Sequence, residues 1–246
     1  MTKVAVALPL QRAELGLSLL ESGFIATMFN VMGALIGLLA GTMGDRYGHR
    51  RLGLAGLAIL TLSGLLGAIA WNFPVLLVSR FFEGIGFILF TVTATTLMAT
   101  AAANPRDRAK ALGLWSAYMP TGGGLALLIA PPVIAAWGWR GLWILLALAA
   151  AACFALAARY APTPKYGGIA SMRLIAESLA QRGNIALALL FICYVAQWVS
   201  VMIWLPTFLV DERGASPAAA GLLTALMVLV NAPGNVAGGW LLAHGV

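Results

Sequence analysis

Arg80 and Glu83 stand three residues apart in Arg80-Phe-Phe-Glu83-Gly84-Ile-Gly86, inside an apolar run over residues 75–102. On a helix that spacing puts both side chains on one face, where they can pair. If the run crosses a bilayer, a charge near its centre costs at least ~2.5 kcal/mol, so both groups are expected to face the bundle interior or water. Two chemistries are open to them: a structural ion pair, or a place on the path of a solute or proton. With the helix starting at Val75, Arg80 lies about 7–8 Å in, at 1.5 Å per residue. Its long stem reaches the outer interface from there by snorkelling. Glu83 is a turn deeper and too short to do the same.

A second constellation is Gly41-Thr-Met-Gly-Asp45-Arg46-Tyr-Gly48-His49-Arg50-Arg51, a carboxylate between spaced glycines followed by cations. Gly41 is expected to let its helix approach a neighbour, and Gly48 to permit a tight reversal. Elsewhere, polar residues interrupt apolar runs: Asn30, Tyr118, Tyr194, Gln197, Trp198, Asn231 and Asn235. Each is expected either to contact a solute or to bond between helices. The glycine spacings 33-37-41 and 234-238 predict closely crossing helix faces.

Several chemistries find no support. The two histidines, His49 and His244, form no His-Glu-x-x-His, and neither a nucleophile elbow nor a Gly-x4-Gly-Lys-Ser/Thr loop occurs. No metal, no cofactor and no enzymatic activity is therefore expected, and no ATP hydrolysis. Cys153 and Cys193 sit in apolar runs without ligand partners and are expected to be inert packing residues.

The elements that must position these residues are membrane spans. The chain is 61% hydrophobic and 9% charged, against roughly 25% charged in a soluble domain. Its apolar runs reach the ~20 residues a helix needs to cross the hydrocarbon core. They are unbroken and rich in Leu and Ala, which argues against the alternating strands of a β-barrel. Spans are predicted near 24–43, 52–72, 75–102, 112–136, 142–159, 185–208 and 218–243. Before them, Lys3 to Leu10 reads as the tail of an earlier helix, closed by the polar stretch Gln11 to Glu14, with no signal peptide. Tyr118-Met-Pro120-Thr-Gly-Gly-Gly124 and Pro131-Pro132 place helix breakers within one span, and Trp137-Gly-Trp139-Arg140 reads as an interfacial turn with aromatic anchors.

Fifteen Lys and Arg set the orientation. Ten fall in the alternate loops around Arg50, Arg108 and Arg173, and three, Arg12, Arg140 and Arg213, in the opposite loops. The first set is expected in the cytoplasm. The net charge of +7 then reports orientation rather than nucleic-acid binding.

An internal repeat adds organisation. Gly16-x-Ser18-x4-Gly23 recurs as Gly214-x-Ser216-x4-Gly221, Gly37-x3-Gly41-x6-Gly48 as Gly234-x3-Gly238-x6-Gly245, and Leu8-Pro9 as Leu205-Pro206. Two parallel six-span halves follow. The expected fold is an all-α polytopic bundle: 1–160 as an N-terminal bundle, 161–184 as a cytoplasmic linker, and 185–246 as the start of a second half. By the same logic the first helix lacks its beginning and the second half stops after two spans, as in an incomplete chain.

The loop from Gly41 to Arg51 resembles the signature between helices 2 and 3 of the major facilitator superfamily, with Met43 and His49 in place of the usual Leu and Arg. Arg80-x-x-Glu83-Gly84-x-Gly86 is similar to that family's helix 4 motif. The resemblance implies a transporter or permease working by alternating access, secondary active or facilitative, in the bacterial inner membrane. It implies Gly41, Asp45, Arg46, Gly48, Arg50 and Arg51 as a gating loop, with Arg106 and Arg108 as local partners for Asp45. It implies a small solute, protons as a candidate coupling ion, the lipid bilayer and no nucleic acid as partners, and a monomer when the chain is complete. Asn231-Ala-Pro-Gly-Asn235 resembles more faintly helix 8 of the cyanate and nitrate permease branch. The rival readings are an inactive fragment of such a transporter, a membrane-embedded enzyme and a sensor.

Overall fold

In a computed structural model of the protein, residues 2–163, 177 and 180–244 are described. Lys165, Arg173 and Gly245, used above for orientation and repeat, lie outside them. Eight helices and no strand occur among the described residues: α1 (Thr2–Leu15), α2 (Leu19–Tyr47), α3 (His49–Ala68), α4 (Phe73–Ala101), α5 (Pro105–Ser116), α6 (Tyr118–Tyr160), α7 (Arg182–Asp211) and α8 (Pro217–Ala243).

Polar caps set several of the helix starts, and this is why these helices start before the hydropathic runs do. Ser18 and Glu21 close a reciprocal capping box, which brings the polar first turn of α2 into the helix. Asn72 and Asn104 accept from Val75 N–H and Asp107 N–H, each with proline in the first turn behind it. α4 therefore begins at Phe73, and α5 at Pro105 rather than near 112. The predicted span 112–136 is divided by Ala117 into α5 and the first part of α6. α6 continues helically through Pro131-Pro132 and holds a second span after the break at Gly138. At the start of the chain the helix runs to Leu15, so Gln11 to Glu14 belong to α1 instead of a loop.

Among the described residues, five helical stretches are long and apolar enough to cross a membrane, by length and composition. One of them, Pro105–Tyr160, carries two of the predicted spans, and Arg182–Trp198 forms a shorter apolar helix. The repeated Gly-x-Ser turn has one geometry at both places. Gly16 and Gly214 take φ of 64° and 63°, and Ser18 and Ser216 accept from backbone N–H three residues on. Left-handed glycine followed by a serine cap ends one helix and starts the next.

Packing is heaviest between α3 and α4, with α2 on α4, α3 on α6, and α8 against α5 and α6. α3 meets α4 where a methyl on Gly56 would stand 2.7 Å from the Gly86 carbonyl. Likewise a Cβ on Gly84 would lie 2.9 Å from the Phe29 carbonyl of α2. The predicted stripe behaves differently: a Cβ on Gly33 would lie 3.7 Å from Ile88, but on Gly37, Gly41, Gly234 or Gly238 it would meet nothing within 4 Å among the described residues. The close crossing of α8 runs instead through Gly239, backbone to backbone with Gly113 of α5. Spacing marks a face without neighbours' bulk; it does not say which glycine meets a partner.

Cys153 and Cys193 are exposed on their helices, not packed. Trp139 and Trp143 are buried with Ile25, Leu76 and Leu142 in the core of the first half. Of the expected aromatic anchors only Trp137 faces outward.

Candidate functional site

α1 and α4 together bury three charges. Glu83 Oε1 accepts from Lys3 Nζ at 2.6 Å, and its other oxygen accepts from Arg80 Nη1. Arg80 is completely buried; its Nε donates to the Ile25 carbonyl at 3.4 Å and its guanidinium lies 5.1 Å from the Phe29 ring centre. Lys3 Nζ sits 4.4 Å from the Trp143 ring centre. From Phe73, Arg80 is about 10 Å and Glu83 about 15 Å along the helix. Arg80 thus does not snorkel: its head group turns inward to Glu83 and the aromatic ring. Two cations share one carboxylate, and Arg80 Nη2 has no hydrogen-bond partner among the described residues, nor does the buried amide of Gln11. Sequence reasoning missed Lys3 and Gln11. The signal for Lys3 was available, since a lysine inside an apolar helix demands a counter-charge.

Below the cluster an aromatic row joins four helices. Phe29 and Phe87 stand 4.9 Å apart, Phe87 and Tyr118 6.4 Å, and Trp115 stacks on Tyr118 at 4.6 Å. This places Tyr118 beside residues of α4 and α5. Asn30 is exposed and makes no hydrogen bond among the described residues.

Five of the remaining candidates come together. Gln197 and Trp198 of α7, with Tyr194, face Asn231 and Asn235 of α8 across an open cavity of about 610 Å³. Val201, Met227 and Val230 complete its apolar wall. Asn235 Nδ2 donates to Asn231 Oδ1 at 3.1 Å and to the Ser116 carbonyl at 3.2 Å, tying the cavity to the α5–α8 contact.

The gating-loop residues gather at one end. Gly48, with φ 95°, is the single residue between α2 and α3, as the tight reversal required. A Cβ on Gly41 would meet nothing within 4 Å among the described residues. Asp45 pairs with His49 at 3.2 Å and not with Arg106 or Arg108. Arg106 contacts His244 at the end of α8 instead. Arg50 donates to the carbonyls of Ala161, at 3.0 Å, and Ala158, at 2.5 Å, capping the C-terminal end of α6. Arg46 lies over Tyr47, and Arg51 is exposed.

At the opposite end Glu14 accepts from Trp139 Nε1 at 2.6 Å and from Arg140, whose Nη2 donates to the Ala70 carbonyl at 2.8 Å. The Trp139 hydrogen bond, then Arg140, holds the Glu14 carboxyl below its ordinary value. These contacts put the Gly48 turn and the exit of α6 at one end of the bundle, and the turns near Glu14, Ala70 and Arg140 at the other. That is the alternation the basic loops predicted. No group of three or more His, Cys, Asp or Glu able to hold a metal occurs among the described residues.

A buried charge cluster in a bundle of long apolar helices, with a glycine-hinged basic turn at one end, is the arrangement of a polytopic membrane helical bundle. The family model of the Major Facilitator Superfamily matches residues 1–245, and the chain belongs to that family. It is 24% identical to a hexuronate transporter of Bacillus subtilis over 97% of this chain and 59% of that protein. It is 25% identical to a putative niacin/nicotinamide transporter of the same organism over 93% of this chain and 59% of the relative. The multidrug transporter mfsC of Aspergillus fumigatus is 28% identical over 60% of this chain and 29% of its own length. The chain therefore spans well under two thirds of these curated relatives. The fainter resemblance to the cyanate and nitrate branch finds no support in these comparisons.

Proposed function

We propose that the protein moves a small solute across a bacterial inner membrane by alternating access, with Glu83 carrying the coupling proton, and that it works as a monomer. The observation that carries this reading is the Lys3–Glu83–Arg80 cluster. Ionisable groups at this depth are costly and mark solute or proton paths. Three groups with one surplus positive charge form more than a neutral structural pair. The aromatic row through Tyr118 and the cavity lined by Gln197, Trp198, Asn231 and Asn235 supply surfaces for the solute, and the loop around Asp45 supplies a gate. The named relatives move hexuronate, niacin or nicotinamide and drugs, which supports a small solute without choosing one.

The test is reconstitution into proteoliposomes with an imposed pH gradient and a panel of labelled sugars, carboxylic acids and amides. Glu83→Gln is expected to abolish gradient-driven accumulation and leave solute exchange. Full accumulation by that variant removes the proton role, and no uptake of any compound by the unaltered protein removes the transport reading.

A further inference from the structure

The cavity between α7 and α8 differs from the sealed cluster in having no charge among the described residues of its wall. Its polar groups are amides and aromatic edges, and the hydrogen bonds that Asn235 makes fix how two of those amides point. Both Nδ2 protons of Asn235 are used, one on Asn231 Oδ1 and one on the Ser116 carbonyl. Asn235 Oδ1 is then left as an acceptor, and Asn231 Nδ2 as a donor, one turn apart on the same helix face. Gln197 across the cavity makes no hydrogen bond among the described residues, and Tyr194 and Trp198 add aromatic rings to the lining. At about 610 Å³ the space has the size of a small-ligand site.

We infer that this cavity binds an uncharged, ring-bearing solute whose hydrogen-bonding group presents a donor and an acceptor side by side, as a primary carboxamide does. A carboxamide carbonyl accepts from Asn231 Nδ2 while its N–H donates to Asn235 Oδ1, and the ring lies against Trp198. A carboxylate offers only acceptors, so it leaves Asn235 Oδ1 facing an anion with no cation on the wall. An ammonium lacks the acceptor that Asn231 needs. The assignment rests on the transport reading above and names the solute class of that path.

Thermal unfolding of the purified protein in lipid nanodiscs is read with benzamide, benzoate and benzylammonium, three probes of similar shape and different charge. Benzamide is expected to raise the midpoint, and the two ions to require at least about tenfold higher concentration for the same shift. Asn231→Asp keeps the shape and adds a carboxylate, so it is expected to turn the preference toward benzylammonium, which loss of packing alone does not do. Should that variant fail to insert, Gln197→Glu poses the same question from α7. Equal shifts, a preference for benzoate, no shift with any probe, or an unchanged benzamide preference in both variants overturns the assignment. Labelled benzamide uptake into proteoliposomes separates the two readings. Selective binding without uptake sinks transport and leaves the site. Uptake of an anionic solute that ignores Asn231→Asp sinks the site and leaves transport.

Discussion

Charges in this bundle are held in two ways. Lys3, Arg80 and Glu83 are sealed between α1 and α4, touching one another, two aromatic rings and a carbonyl. Arg50, Asp45, Glu14 and Arg140 lie at the helix ends, partly open and tied to nearby carbonyls, rings and carboxylates. The first group has no water to fall back on, so each member depends on the others' charge. The second group keeps solvent as an alternative partner, and its contacts serve mainly to join helix ends. Burial, more than the number of contacts, should decide what each substitution costs.

Substitutions inside the sealed cluster are the strongest test of that contrast. Glu83→Gln leaves two cations facing each other and is expected to destabilise by about 3–5 kcal/mol. Lys3→Met leaves a neutral Arg80–Glu83 pair and should be the mildest single change of the three. Replacing Arg80 and Glu83 together by Met and Gln leaves Lys3 buried without its counter-charge. Thermal midpoints in nanodiscs rank these variants; a double variant as stable as the parent would mean that Lys3 is not part of the cluster.

A smaller effect is expected at the helix ends. Arg50→Gln removes two charge-assisted hydrogen bonds to the last carbonyls of α6, at the cost of about 1 kcal/mol once solvent competition is allowed for. Protease nicking after Ala161 should rise while the midpoint hardly moves. A loss as large as that of Glu83→Gln would erase the distinction between the two regions.

Smallest of all is the outer contact of Glu14. Its carboxyl is held below the ordinary value in the folded protein, so its contribution is present above the unfolded value of about 4.3 and fades as pH falls through the lower folded value. Glu14→Gln should therefore lower stability slightly at pH 7, with the difference vanishing in acid. A difference that grew below pH 4 would reverse the sign of the argument.

Much of the architecture was legible because lipid allows few solutions: apolar runs gave the spans, and alternating basic loops gave the ends. The Gly48 reversal and the repeated Gly-x-Ser turn were readable because their chemistry is local. Arg80 and Glu83 announced each other at three residues' spacing. Lys3 did not, since its partner lies on another helix and only the packing of α1 on α6 and α2 brings its side chain within reach of α4. Asp45 was less legible: the Gly48 reversal separates it from His49 on the next helix, so the helix-neighbour rule does not pair the two, and only the turn's geometry brings them to 3.2 Å. The glycine stripes were misread for a different reason, because a bare face carries no record of its partner.

The crossing of α5 and α8 at Gly113 and Gly239 brings two backbones together with no side chain between them. Helices usually engage through ridges seated in grooves, which act like gear teeth and fix a crossing angle. Here the teeth are absent at the point of closest approach, while the Asn235–Ser116 and Arg106–His244 contacts lie on either side of it. Such a contact resists separation and yields to rolling, as a bearing does.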